Sequence, residues 1–123
     1  MTTLEGPAGV ARSERAGDIW LISLFGDFDI NTTESVSHAI AEARRHHGRA
    51  VVFDLHEVTF CDSSLLNHLL HTARSDRVVL VSAPGEVLRL LAVTGTEGVL
   101  PHYPDLATAR AAIGGGEGPG NSR

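Results

Sequence analysis

Three short segments constrain what this chain can fold into. Asp18–Phe25 (DIWLISLF), Ala50–Leu55 (AVVFDL) and Arg77–Ser82 (RVVLVS) are almost continuously apolar and rich in β-branched and aromatic residues. A strand with one wet face would alternate apolar and polar residues, so unbroken runs of this length predict strands buried in the middle of a sheet. Val10–Arg15 reads as an edge strand and Leu100–Tyr103 as a short one.

The intervening segments change to helical period. Thr33–His46 places Val36, Ile40 and Ala43 on one face, with Asn31 or Thr32 as the N-cap candidate. Ser63–Arg74 carries Leu65, Leu66, Leu69, Leu70 and Ala73 on one stripe. Pro84 suits the first turn of a helix whose apolar face is Val87, Leu88, Leu91 and Ala92, closed by Gly95. A last helix is expected over about Asp105–Ile113. The order β-β-α-β-α-β-α-β-α predicts an α/β fold: one mixed, largely parallel sheet of four to five strands with about four helices.

A length of 123 residues suits one domain, placed here at residues 9–113. Gly114–Arg123 (GGGEGPGNSR) has no large apolar side chain to offset the entropy of ordering, so a disordered Gly-rich tail is expected there and a flexible N-terminus over residues 1–8. The net charge of −5 argues against nucleic acid or an anionic membrane as the main partner. All ten basic residues counted as Lys or Arg are arginine. Schiff-base chemistry, a P-loop lysine and the lysine of a receiver-type phospho-aspartate site are thereby excluded. The single Cys61 has no disulfide or CxxC partner, and no apolar stretch reaches the roughly 18 residues of a membrane span. A soluble, cytoplasmic chain is the expectation.

In sheets of this kind functional groups gather where strands run into helix N-termini. Two such loops carry chemistry: Gly26-Asp27-Phe28-Asp29, and Phe60-Cys61-Asp62-Ser63-Ser64. Asp62 and Ser63 are both good N-cap types, each able to accept from an unsatisfied backbone N–H at about 1 kcal/mol, and capping alone would explain them. The sharper reading is a phosphoacceptor serine. A phosphate at a helix start brings about −1.5 to −2 charges beside the positive end of the helix dipole, so the fold tolerates it while a docked partner would not.

Other polar residues read as structural. His68 and His71 are spaced i, i+3, but no cysteine or carboxylate joins them at ligand spacing. His46 and His47 beside Arg44 and Arg45 fit a solvated helix end, and Cys61 fits a buried small hydrophobe. A Ser-His-Asp hydrolase built on Ser63 and Asp29 is conceivable, yet no G-x-S-x-G elbow is present.

At this point three segments together resemble the STAS-domain family, and more narrowly its bacterial anti-sigma factor antagonists. Gly26-Asp27-Phe28-Asp29 is similar to the family's G-x-L/F-D loop; VVFDLHEVTFCDSS is similar to its strand and D-S-S/T-G-L helix start; and APGEVLRLLAVTGTEGVLPHYPDLATARAAI is similar to its C-terminal pattern. The resemblance implies a non-enzymatic domain without cofactor or metal. Such a domain binds an anti-sigma factor with a GHKL-type serine kinase fold, frees a sigma factor, and is switched off by serine phosphorylation. It assigns the phosphate to Ser63 and partner binding to Asp27, Asp29, Asp62, Ser63, Ser64 and Leu65, and leaves self-association possible. The chain departs from the pattern at Leu65, where the family usually has glycine, and at Asn67, which replaces its next frequent glycine. Leucine favours a continuous helix and is expected to fill a gap used for close approach. A STAS subunit docking on a transporter ATPase or stress-signalling complex without phosphorylation is the alternative within the fold.

Overall fold

The computed structural model describes residues 8–46 and 48–115. A five-stranded sheet is formed in the order β1-β2-β3-β4-β5 by β1 (Ala8–Ala16), β2 (Ile19–Phe28), β3 (Ala50–Cys61), β4 (Val78–Val81) and β5 (His102–Tyr103). β1 and β2 are antiparallel and joined by a two-residue turn, with Ala16 opposite Ile19. Gly17 opens that turn at φ 70°, a conformation that glycine adopts without steric cost and that a primed hairpin turn requires. The remaining pairs are parallel.

Each step from β2 to β5 moves one strand further in the same direction through a helix. Right-handed crossovers then place α1 (Glu34–Arg45), α2 (Ser63–Ala73) and α3 (Gly85–Thr94) on one face of the sheet. The main core follows this rule: Ile22, Leu24, Phe28, Phe53, Leu55 and Leu80 pack with Val36, Ile40, Leu65, Leu69, Val87 and Leu91 of the three helices. α4 (Leu106–Gly115) returns to the other face, packing Ala109 and Ile113 with Ile19, Leu21, Val52, Val79 and Val81. The α/β class, strand number and helix number agree with the sequence reading.

Several boundaries and faces differ. β3 runs to Cys61, six residues past the apolar run that predicted it, because pairing with β2 continues through His56–Cys61 even though that stretch is half exposed. Thr33, not Asn31 or Thr32, stands at the N-cap position of α1, without a side-chain cap bond; the Thr32 hydroxyl is taken by Asp29 in the preceding turn. Pro84 is the N-cap of α3 and lies just before its first turn. On α3, Leu88 and Ala92 face solvent while Leu90 packs on the core beside Val87 and Leu91. Gly95 closes α3 at φ 71°, with the Gly95 and Thr96 amides donating to Ala92 and Leu91 carbonyls, as in a Schellman-type cap. Of the two ends expected to be flexible, Ala8 belongs to β1 and Gly114–Gly115 to α4, and the remaining residues, 1–7 and 116–123, lie outside the described residues.

One close approach fixes the lower end of the sheet. A Cβ on Gly48 would lie 2.8 Å from the Asp18 carbonyl, and the next residue, Arg49, both donates its amide to that carbonyl at 2.7 Å and pairs with the Asp18 carboxylate at 2.8 Å. Gly98, by contrast, is open, with nothing within 4 Å of the same position. Gly48→Ala is expected to lower unfolding stability by about 1–3 kcal/mol, and Gly98→Ala to change it by no more than about 0.5 kcal/mol. Urea denaturation of the two variants checks the contrast.

Candidate functional site

The two loops singled out in the sequence become neighbours through irregular pairing of β2 with β3. Ser23 lies opposite Asp54, but Phe25 lies opposite Glu57; Gly26 lies opposite Val58, but Asp27 lies opposite Phe60. At each shift β3 contains one residue more than β2, the signature of a β-bulge. Gly26, at φ 90°, sits between the two shifts, where its missing Cβ permits the backbone turn. The result is a register in which Phe28 faces Cys61 and the Asp62 amide donates to the Phe28 carbonyl at 3.3 Å. The Thr59 hydroxyl also donates to the Asp27 carboxylate across the same pair of strands. Asp27-Phe28-Asp29 is thus held against Phe60-Cys61-Asp62.

Each site residue then has a defined local role. Asp62 is the N-cap of α2, its carboxylate accepting from the Ser64 amide at 2.8 Å, so capping falls to Asp62 and not to Ser63. Ser63 is exposed as the first helical residue, and among the described residues its hydroxyl makes no hydrogen bond. Ser64 is half-buried. Asp29 organises the β2–α1 turn, accepting from the Asn31 amide at 2.8 Å and the Thr32 hydroxyl at 3.3 Å. Its carboxylate stays exposed, as does that of Asp27.

Leu65 requires a correction. It is only 1% exposed and packs in the main core, because it lies on the α2 stripe facing the sheet. It therefore presents almost no area to the approach surface around Ser63. Two apolar residues not identified from the sequence occupy that surface instead: Ile30, 76% exposed, in the turn after Asp29, and Phe60, 51% exposed, opposite Asp27. Their signal in the sequence is weak: Ile30 stands alone between Asp29 and Asn31, whereas Phe60 is followed by Cys61, which packs on the core.

The remaining candidates are placed as follows. Cys61 is half-buried, and burial, reinforced by the Asp62 carboxylate, pushes its thiol up to about 11 despite a bond from the Leu66 amide. His68 lies between α1 and α2, its Nδ1 3.4 Å from the Ser37 hydroxyl, while His71 is exposed. His46 is not merely solvated: its ring stacks on Trp20 at 4.6 Å, and His47 lies outside the described residues. An open cleft of about 390 Å³ lined by Arg12, Ser23, Asp54, His56 and Glu57 does not include Ser63. Within it the Asp54 carboxylate accepts from the His56 main-chain amide at 3.0 Å, so that bond does not orient the imidazole for proton transfer. Among the described residues no group of three His, Cys, Asp or Glu side chains converges to hold a metal ion, and no helix is long and apolar enough to cross a membrane.

The family model described as "Mlab, STAS domain" matches residues 11–101. No curated protein matches the chain significantly. Among solved structures, an anti-sigma factor antagonist from Mycobacterium paratuberculosis is similar at 24% identity and TM-score 0.78, over 91% of this chain and 100% of that one. The anti-sigma factor antagonist SpoIIAA in its unphosphorylated form is similar at 18% identity and TM-score 0.69, over 83% and 94%. The Bacillus cell fate determinant SpoIIAA in the phosphorylated form is similar at 17% identity and TM-score 0.62, over 80% and 96%. At these identities the likeness is one of fold.

Two outcomes test the local chemistry. Asp62→Ala is expected to cost about 1 kcal/mol of unfolding stability, the worth of one N-cap bond. With its thiol at about 11 instead of the ordinary 9.0, Cys61 should hold about a hundredfold less thiolate at pH 8 and alkylate correspondingly slowly in the folded protein. Labelling with iodoacetamide across pH 7 to 10, with and without denaturant, reads the difference.

Proposed function

The chain belongs to the STAS domain family, and we propose that within it this protein is an anti-sigma factor antagonist. Its head, formed by Asp27, Asp29, Ile30, Phe60, Asp62 and Ser63, captures an anti-sigma factor of the GHKL-type serine kinase fold and so frees a sigma factor. Phosphorylation of Ser63 ends the capture. The observation that carries this reading is the placement of one exposed serine at the first position of α2, directly after an acidic cap, with exposed Ile30 in the Asp29 turn and exposed Phe60 opposite Asp27 on the paired strands. The fold-level likeness to proteins named as anti-sigma factor antagonists supports it.

The physical logic is local. Phe60 and Ile30 supply apolar anchor area, while the carboxylates around them favour a basic partner and speed encounter. A phosphate on Ser63 adds about −1.5 to −2 charges next to Asp62, whose carboxylate already holds the Ser64 amide. The new charge therefore gains less from the helix start than it would at an uncapped one, and it desolvates poorly under a partner. The same occupied cap favours a second reading, in which the face docks on a transporter ATPase or stress-signalling complex without being phosphorylated.

Mixing the purified chain with a purified anti-sigma serine kinase from the same cell and ATP tests the proposal. The expected result is a mass increase of one phosphate, abolished in Ser63→Ala. In binding titrations Ser63→Ala should keep the parent affinity, whereas Ser63→Asp and Phe60→Ala should each lose roughly tenfold or more, 1.4 kcal/mol. Equal affinity for parent and Ser63→Asp, with no phosphate transferred, rejects the switch.

A further inference from the structure

Because β2 to β5 are parallel, their carboxyl ends and the starts of all four helices share one end of the molecule, and their amino ends and the helix ends share the other. Charge is sorted along the same axis. At the head lie Asp27, Asp29, Glu34, Asp62, Glu86 and Asp105; the described loops and first helical turns around them hold no arginine, and Arg89 follows Glu86 by three residues on α3. At the opposite end, the foot, lie Arg44, Arg45 and Arg74 at helix ends and Arg49 and Arg77 at strand starts. Arg15 and Arg110 join them: Arg15 donates to the His46 carbonyl at 3.2 Å and Arg110 to the Ala16 carbonyl at 3.0 Å.

The foot also contains Asp18, Glu42, Asp76 and Glu97, so these seven guanidinium groups face four carboxylates. Arg44 pairs with Asp76 at 3.1 Å and Arg49 with Asp18 at 2.8 Å. Arg45, Arg74 and Arg77 are exposed and make no ion pair among the described residues. Compensation of helix dipoles accounts for Glu34, Glu86, Arg44 and Arg45, which sit in first and last turns. It does not account for Asp27 in β2, Arg15 in β1 or Arg77 ahead of β4, which lie outside helices.

We propose that this chain associates with itself head to tail, the acidic head of one copy seated on the arginine foot of the next. A second copy is the occupant that the charges favour: both copies carry a net charge of −5, so attraction between them requires the acidic head of one to face the arginine foot of the other. The contact is heterologous and does not close on itself, so it produces short concentration-dependent chains in place of a fixed dimer. This goes beyond partner docking but uses the same head, so the two compete; Ser63→Asp, which weakens capture, strengthens self-association.

Sedimentation velocity across a concentration series tests the proposal in about 0.01 M salt, where the Debye length is about 30 Å, and in about 1 M salt, where it is about 3 Å. The weight-average mass should rise well above the monomer in low salt and return to it in high salt. Arg45→Glu with Arg77→Glu should be monomeric throughout, as should Glu34→Arg with Glu86→Arg, and circular dichroism should show both folded. Mixed together, the two variants should associate again, since an acidic head then meets an intact foot and a reversed foot meets a reversed head. A parent chain that stays monomeric in low salt overturns the proposal, as does association that survives foot reversal or is not restored in the mixture. Binding of the monomeric parent's foot to a short single-stranded oligonucleotide or to anionic phosphatidylglycerol vesicles likewise overturns it. None of these readouts uses the anti-sigma partner, so their failure leaves the docking proposal intact.

Discussion

The parallel pairing of β2 with β3 is the interaction on which the rest of this molecule depends. Its lower half is regular, Ile19 to Ser23 opposite Ala50 to Asp54, and carries the largest part of the two-sided core. Its upper half inserts two extra residues into β3 without breaking the pairing. The inserted residues move Asp62 up to the Phe28 carbonyl and turn Phe60 out beside Asp27. Without those insertions α2 would begin further from the β2–α1 turn, and the acidic residues of the two loops would not share a surface.

In the proposed switch that surface changes its charge with little movement, because its scaffold does not rely on Ser63. Ser63 makes no hydrogen bond of its own among the described residues, while Asp62 caps the helix and Asp29 ties its own turn. A charge added to Ser63 alters what the head attracts before it alters how the head is built. Leu65 stands apart from that charge, beneath the surface on the stripe that holds α2 to the sheet. The polarity of the whole molecule extends this logic, since the parallel topology that collects the acidic loops at one end collects arginines at the other.

How much of this could be read in advance follows the strength of each local signal. The cores of β2, β3 and β4 were legible because burial on two faces demands unbroken apolar runs, and α1 and α2 because their inward stripes keep helical period. The upper half of β3 was not, because His56, Glu57, Thr59 and Phe60 are exposed and show no strand pattern; only pairing with β2 makes them a strand. On α3, Leu88 and Ala92 looked inward by spacing, but the helix turns its Val87 and Leu91 side to the core. The motif residues Asp27, Asp29, Asp62 and Ser63 were visible as types, whereas their adjacency, and the exposure of Ile30 and Phe60, depend on two bulges that carry no residue signature beyond Gly26.

The most direct measurement is therefore one of register. In a uniformly ¹⁵N- and ¹³C-labelled sample, cross-strand nuclear Overhauser contacts between β2 and β3 report which residues pair. The bulged register predicts contacts from Phe28 to Cys61 and the Asp62 amide, and from Asp27 to Phe60. An unbroken continuation of the lower register would instead place Phe28 against Thr59 and Asp27 against Val58. Observation of that second set would separate the two loops and contradict the single acidic head from which the account of function proceeds.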